Sequence, residues 1–152
     1  MAEFTMNAIQ LVQPNQAIQL VGSQWGMRNY LFHQGESGIV TLRGIVNNPY
    51  AGFALYQVTF NGNIAVPEGV TVGAIAVAIA RNGEPIQTSR AIVTPTAVDQ
   101  YFNVTSTAFV IVPRGCCFDI SVENVSVSAD PATTPAPAIN FQNANLVIQR
   151  VG

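Results

Sequence analysis

His33 is the only imidazole in the 152 residues, so any general-base or triad chemistry at neutral pH would have to run through it. Glu36 and Ser37 follow closely, but no nucleophile-elbow signature frames a serine. His33 reads as a polar loop residue. Asp99, Asp119, Glu123 and Asp130 are too scattered to form a glycosidase carboxylate pair and lack the clustered spacing of a calcium loop. One His and two Cys do not make a catalytic metal cluster. Cys116 and Cys117 are adjacent. Neighbours on a strand point to opposite faces, so a bridge between them would be strained, and both read as small buried hydrophobes. The sequence therefore predicts no catalytic residue, no metal, no cofactor and no enzyme.

Binding chemistry is concentrated in residues 22–38, which hold Trp25, Tyr30, Phe32 and His33. Such a loop can serve as a ligand or partner surface, because aromatic rings stack on the faces of sugars. It can equally plug one end of a sandwich or pack on a neighbouring subunit. Asn103-Val104-Thr105 and Asn124-Val125-Ser126 match the glycosylation pattern but read as strand residues without a secretion signal. Arg43, Arg81, Arg90, Arg114 and Arg150 fall on or beside predicted strands, where planar guanidinium groups suit ion pairs at an interface or on the surface. Glu84 and Glu123 are candidate partners.

Only a distinctive scaffold could carry so few chemical groups. Charged residues make up 9% of the chain, against about 25% in an average soluble protein. All six bases are arginine, the eight acids leave a net charge of −2, and 49% of residues are hydrophobic. Disorder is excluded by this apolar content, and there is no basic excess for a nucleic acid. No basic segment followed by an apolar one opens the chain. The longest apolar stretch, 70–80, is shorter than the roughly 20 residues of a spanning helix. The expectation is a protein made in a cytoplasm, without membrane or nucleic-acid partners.

Helical periodicity is absent, while Val, Ile and Thr abound. Gly and Pro interrupt the chain at intervals of about 10 to 15 residues, as in a sandwich or barrel. Strands are predicted at 7–12, 17–21, 39–46, 53–64, 72–80, 86–93, 101–104, 107–112, 117–127 and 139–151, about nine or ten in all. Residues 1–15 form an arm or first strand, and 16–152 a single all-β domain. Asn82-Gly83 marks a type I′ hairpin turn. Irregularities are expected near Glu123-Asn124, as a bulge or a change of environment, and at Asn143-Ala144-Asn145. The strands 72–80 and 107–112 are apolar on both faces, so each needs two coverings. One is an opposing sheet, and the other can be a second subunit. Tyr56, Phe60, Ile79, Phe109, Ile111, Phe118, Ile120 and Val147 are the residues expected to line the core or a subunit interface.

The run Tyr56-Gln57-Val58-Thr59-Phe60-Asn61-Gly62-Asn63-Ile64, with Val66-Pro67-Glu68-Gly69, resembles a group of small proteins of Firmicutes and their phages that are similar to the C1q/TNF-like jelly roll. Asn82-Gly83-Glu84-Pro85, Ile92-Val93-Thr94-Pro95, Val112-Pro113-Arg114-Gly115-Cys116-Cys117 and Asn143-Ala144-Asn145-Leu146 extend the resemblance over residues 38–151. It implies a ten-stranded jelly-roll sandwich that assembles as a homotrimer about a three-fold axis. The implied role is structural: a phage virion component such as a capsid decoration or fibre head, or a bacterial surface tip. Other virion or surface proteins would be partners, reached through the N-terminal arm. The alternative is a lectin-like module that takes a host glycan on residues 22–38. No Gly-X-Y repeat precedes the domain, which departs from the stalk-tip pattern.

Overall fold

The computed structural model describes residues 2–23, 31–33, 37–44, 52–115, 117–128 and 132–151. Twelve strands are found among them, in two antiparallel sheets packed face to face. The first sheet contains β1 (Ala2–Met6), β2 (Gln10–Val12), β3 (Gly22–Ser23), β6 (Phe53–Ala65), β10 (Phe102–Pro113) and β12 (Ile139–Arg150). Its order is β10-β6-β12-β1-β3, with β2 also against β12. The second sheet contains β4 (Leu31–His33), β5 (Val40–Arg43), β7 (Ile75–Arg81), β8 (Glu84–Pro85), β9 (Ala91–Val93) and β11 (Cys117–Asn124). Its order is β4-β5-β11-β7-β8, with β9 also against β7. Strands consecutive in the chain repeatedly change sheet, and the result is an all-β jelly-roll sandwich.

The core follows from two-residue alternation. On β6, Ala54, Tyr56, Val58, Phe60 and Ile64 are buried, and the residues between them face out. β10 buries Val104, Ser106, Ala108, Val110 and Val112. From the second sheet come Val40, Leu42, Ile75, Val77, Ile79, Ile120 and Val122. Phe60 and Phe141 meet edge to face, with centroids 6.1 Å apart, and each fully buried side chain of this size contributes about 1.5–3 kcal/mol.

β12 keeps its apolar residues inward by breaking step. Ile139 and Phe141 are buried, and then Ala144, Leu146 and Ile148. Its register against β6 shifts between Gln142 and Asn145, and Asn143 takes φ +53°, the left-handed conformation that Asn accepts more readily than most residues. The predicted irregularity is therefore a bulge that changes the strand's phase by one residue. Opposite it lies Gly62, where a Cβ would come within 3.0 Å of the Phe60 ring and 3.1 Å of Ala144 Cβ.

Several sequence expectations are corrected. Residues 101–104 and 107–112 form one strand, β10, because its buried alternation runs unbroken through Ser106. Conversely, 86–93 is not one strand. Pro85 lacks an N–H, and the Ser89 hydroxyl takes a ladder position, accepting from Ile79 N and donating to Ile86 O. Within 117–127 no bulge forms, since β11 ends at Asn124. Residues 17–21 are not a regular strand. Ala17 makes one bridge to Glu123, and Ile18 N bonds Val122 O at 2.9 Å. Gly38 lies against this segment so closely that a Cβ would sit 1.6 Å from Ile18 O. The alanine face of β7 needs no second subunit, because Ala76, Ala78 and Ala80 are buried within the chain itself. Cys117 is exposed rather than buried; Cys116 lies outside the described residues. The Asn82-Gly83 turn is found as predicted, with φ +53° and +82°.

Candidate functional site

The outward face of the first sheet is the candidate site, and cross-strand register places its residues in rows. Pro113 lies opposite Phe53, Ile111 opposite Leu55, and Phe109 opposite Gln57. Thr107 then faces Thr59, Thr105 faces Asn61, and Asn103 faces Asn63. On the other side of β6 the rows continue with Gln149, Val147, Asn145 and Gln142. Glu3 and Thr5 of β1 extend the middle of the face.

This face has two halves of different chemistry. At one end Phe109 is 61% exposed, Ile111 53% and Phe53 50%. Toward the other end the rows are closed by neutral hydrogen bonds. Thr59 and Thr107 pair through their hydroxyls at 3.3 Å, Thr105 Oγ1 donates to Asn61 Oδ1 at 3.0 Å, and Asn103 Nδ2 donates to Asn63 Oδ1 at 3.2 Å. Asn145 Nδ2 donates to Glu3 Oε2 at 2.8 Å. Glu3 is the one charged residue in these rows. The face thus joins a contiguous apolar row to a flat ladder of amides and hydroxyls, a surface that can be desolvated without stranding many charges.

The eight residues predicted for core or interface separate into three environments. Tyr56, Phe60, Ile79 and Ile120 are fully buried, and Tyr56 donates its phenol hydrogen to Arg43 O at 2.5 Å. Phe118 packs half-buried on the core, with the Arg81 guanidinium 5.3 Å from its ring centroid, a cation–π arrangement. Phe109, Ile111 and Val147 point outward on the first sheet, Val147 half-buried. Of the aromatic group in 22–38, Trp25 and Tyr30 lie outside the described residues. Phe32 and His33 lie on β4, paired with Thr41 and Val40. Phe32 is half exposed.

Sequence reasoning missed Phe53, Leu55 and the amide ladder as parts of one face. The signal was the alternation of β6, which becomes a face only once the register with β10 is known. It also missed Asn124, which is completely buried. Asn124 Nδ2 donates to Val12 O and Pro137 O, each at 3.0 Å, and its Oδ1 accepts from Ser126 N at 3.0 Å. An amide so enclosed cannot carry a glycan.

Among the described residues two titrating groups are shifted. Burial pushes the Glu123 carboxyl above the usual range. The Tyr101 phenol is raised by burial and by the neighbouring Asp99 charge, with a hydrogen bond from Asn140 acting against both. Among the described residues no group of three His, Cys, Asp or Glu side chains is placed to hold a metal ion, and no helix is long and apolar enough to cross a membrane.

No protein-family model matches the chain, and no curated protein matches it. Among solved structures, the globular domain of zebrafish complement 1qA protein is similar over 99% of this chain and 97% of its own, at 12% identity and a TM-score of 0.56. That likeness defines the architecture: the chain is a jelly roll of C1q-like fold. The C-terminal domain of EclA, a sugar-binding protein, covers 80% of this chain and 84% of its own at 18% identity, with a TM-score of 0.37. The CBM22-1 xylan-binding domain from Paenibacillus barcinonensis Xyn10C covers 99% and 87% at 10% identity, also with a TM-score of 0.37. Similarities this low carry no argument about function.

Proposed function

We propose that this protein is a non-enzymatic structural subunit, a homotrimer whose copies meet through the outward face of the first sheet. The carrying observation is the contiguous apolar row of exposed Phe53, Phe109 and Ile111 with half-buried Leu55, continued by the neutral Thr and Asn ladder. Exposed apolar residues scattered singly need no partner, but contiguous ones mark a surface that another molecule covers. In a closed three-fold ring every contact is heterologous, so part of this face on one copy packs against a different part of the next copy's surface, and the ring closes after three. Three-fold symmetry, and a setting in a phage particle as capsid decoration or fibre head, rest on the resemblance of the sequence motifs. A bacterial surface structure is the alternative setting.

The experiment is sedimentation equilibrium of the wild type beside Ile111→Asp. Ile111 is half exposed on the outward face, so the variant should fold with an unchanged circular dichroism spectrum. Its association should weaken by at least about 100-fold, since a buried unpaired charge replaces an apolar contact in each interface. Association unchanged by Ile111→Asp and by Phe109→Asp would remove this face from the proposal.

A further inference from the structure

The outward face of the second sheet carries a different constellation. Phe32, Thr41 and Asp119 lie in one cross-strand row on β4, β5 and β11. Asn82 joins the row from the β7–β8 hairpin: its N–H donates to Asp119 O at 2.7 Å, and its Oδ1 accepts from Asp119 N at 2.9 Å. A backbone N–H can only donate, so Oδ1 must face it. Asn82 Nδ2 is thereby left, among the described residues, as an unused donor on an exposed residue. The Thr41 hydroxyl donates to Asp119 Oδ1 at 2.7 Å, which leaves Oδ2 as an unused acceptor. The Phe32 ring is 50% exposed on the edge strand. Two inter-strand spacings, about 10 Å in all, separate Phe32 from Asp119, a span of two linked pyranose rings.

We propose that this row is a binding site for a neutral oligosaccharide, with one ring stacked on Phe32 and a hydroxyl of the adjoining ring shared between Asp119 and Asn82. A pyranose has an apolar C–H face suited to an exposed aromatic ring. Its hydroxyls donate and accept at once, so a single hydroxyl donates to Asp119 Oδ2 while accepting from Asn82 Nδ2. The carboxylate makes the first of these bonds charge-assisted and the stronger of the two. It also repels sialylated and sulfated sugars, which sets the neutral class. Both polar groups are held in place before the ligand arrives: Asp119 by Thr41, and Asn82 by the left-handed turn and the Asp119 backbone. Little ordering therefore remains for binding to impose. The site lies on the sheet opposite the self-association face, so the two functions are separable.

The test is a printed array of neutral glycans with glucose, galactose and N-acetylhexosamine termini, followed by titration calorimetry on a retained glycan. Asp119→Asn keeps the acceptor for Thr41 and turns Oδ2 into a donor. Asn82→Asp keeps the acceptor for Asp119 N and turns Nδ2 into an acceptor. Phe32→Ala removes the platform from an exposed position, and folding is checked for all three by thermal melting. The wild type should retain at least one neutral glycan, and each variant should bind it at least about tenfold more weakly, as expected for one lost polar or stacking contact. An array with no neutral glycan retained would overturn the proposal. So would binding confined to anionic glycans, or binding undiminished by Phe32→Ala together with Asp119→Asn. None of these results alters the mass in solution, which tests self-association separately.

Discussion

Asn124, at the end of β11, is tied to three other points of the chain. Its side chain bonds the end of β2, the segment entering β12 and the turn after β11. Asn124→Ala removes all three bonds and leaves two carbonyls and one N–H unsatisfied inside the protein. At about 1 kcal/mol or more for each, the variant should lose about 3 kcal/mol, read as a lower urea midpoint at unchanged slope. Glu123 acts in the opposite sense. It is 8% exposed, and burial raises its carboxyl above the ordinary range. Between the ordinary and the raised values the folded state holds the proton while the unfolded state releases it, so stability falls as pH rises through that window. Melting temperature should therefore rise on acidification from neutral toward the ordinary carboxylate range, and Glu123→Gln should remove that part of the slope. Neither role was legible in the sequence. Asn124 sits in a glycosylation pattern on a predicted strand, and Glu123 occupies an outward position by alternation. What encloses each of them comes from segments distant in the chain, and alternation carries no information about those.

Local rules give the secondary elements where two-residue alternation is strong, and fail where a side chain replaces a backbone bond. The strand β6 and the Asn82-Gly83 hairpin were readable because apolar alternation and turn chemistry each specify them. The break of 86–93 was not, because it depends on the Ser89 hydroxyl reaching Ile79 across the hairpin. The irregularity expected at Asn143-Ala144-Asn145 is where the β12 bulge falls. Asn143 holds the left-handed conformation there. Asn143→Gly should therefore be neutral within about 0.5 kcal/mol, while Asn143→Val should cost about 1–2 kcal/mol, because a β-branched residue is strained at positive φ. Chemical denaturation of the pair checks this. If the two substitutions were equally tolerated, the bulge would not hold the phase of β12. At Gly38 the constraint is space rather than φ. Gly38→Ala should prevent residues 15–18 from docking on β11, and hydrogen exchange at Ile18 N should then rise toward that of an exposed loop.

At the scale of the whole molecule the all-β jelly roll was legible, and the distribution of its surfaces only in part. Two strands read as apolar on both faces. For β7 the second covering comes from within the chain, so its alanines make no demand on a partner. For β10 it does not: Phe109 and Ile111 remain exposed beside Phe53. Small alanines are enclosed by their own neighbours, whereas large rings on a flat sheet face stand out from it. Of the two strands read as apolar on both faces, β10 alone therefore argues for assembly, and the low overall charge leaves few ions to be desolvated on its face. The most direct measurement is the mass of the purified protein by light scattering coupled to size exclusion. Three copies of 16.2 kDa predict about 49 kDa for the wild type, held on dilution, with Phe109→Asp shifted toward one-third of that mass while remaining folded. A stable monomer near 16 kDa, with Phe109 and Ile111 open to water, would contradict the account.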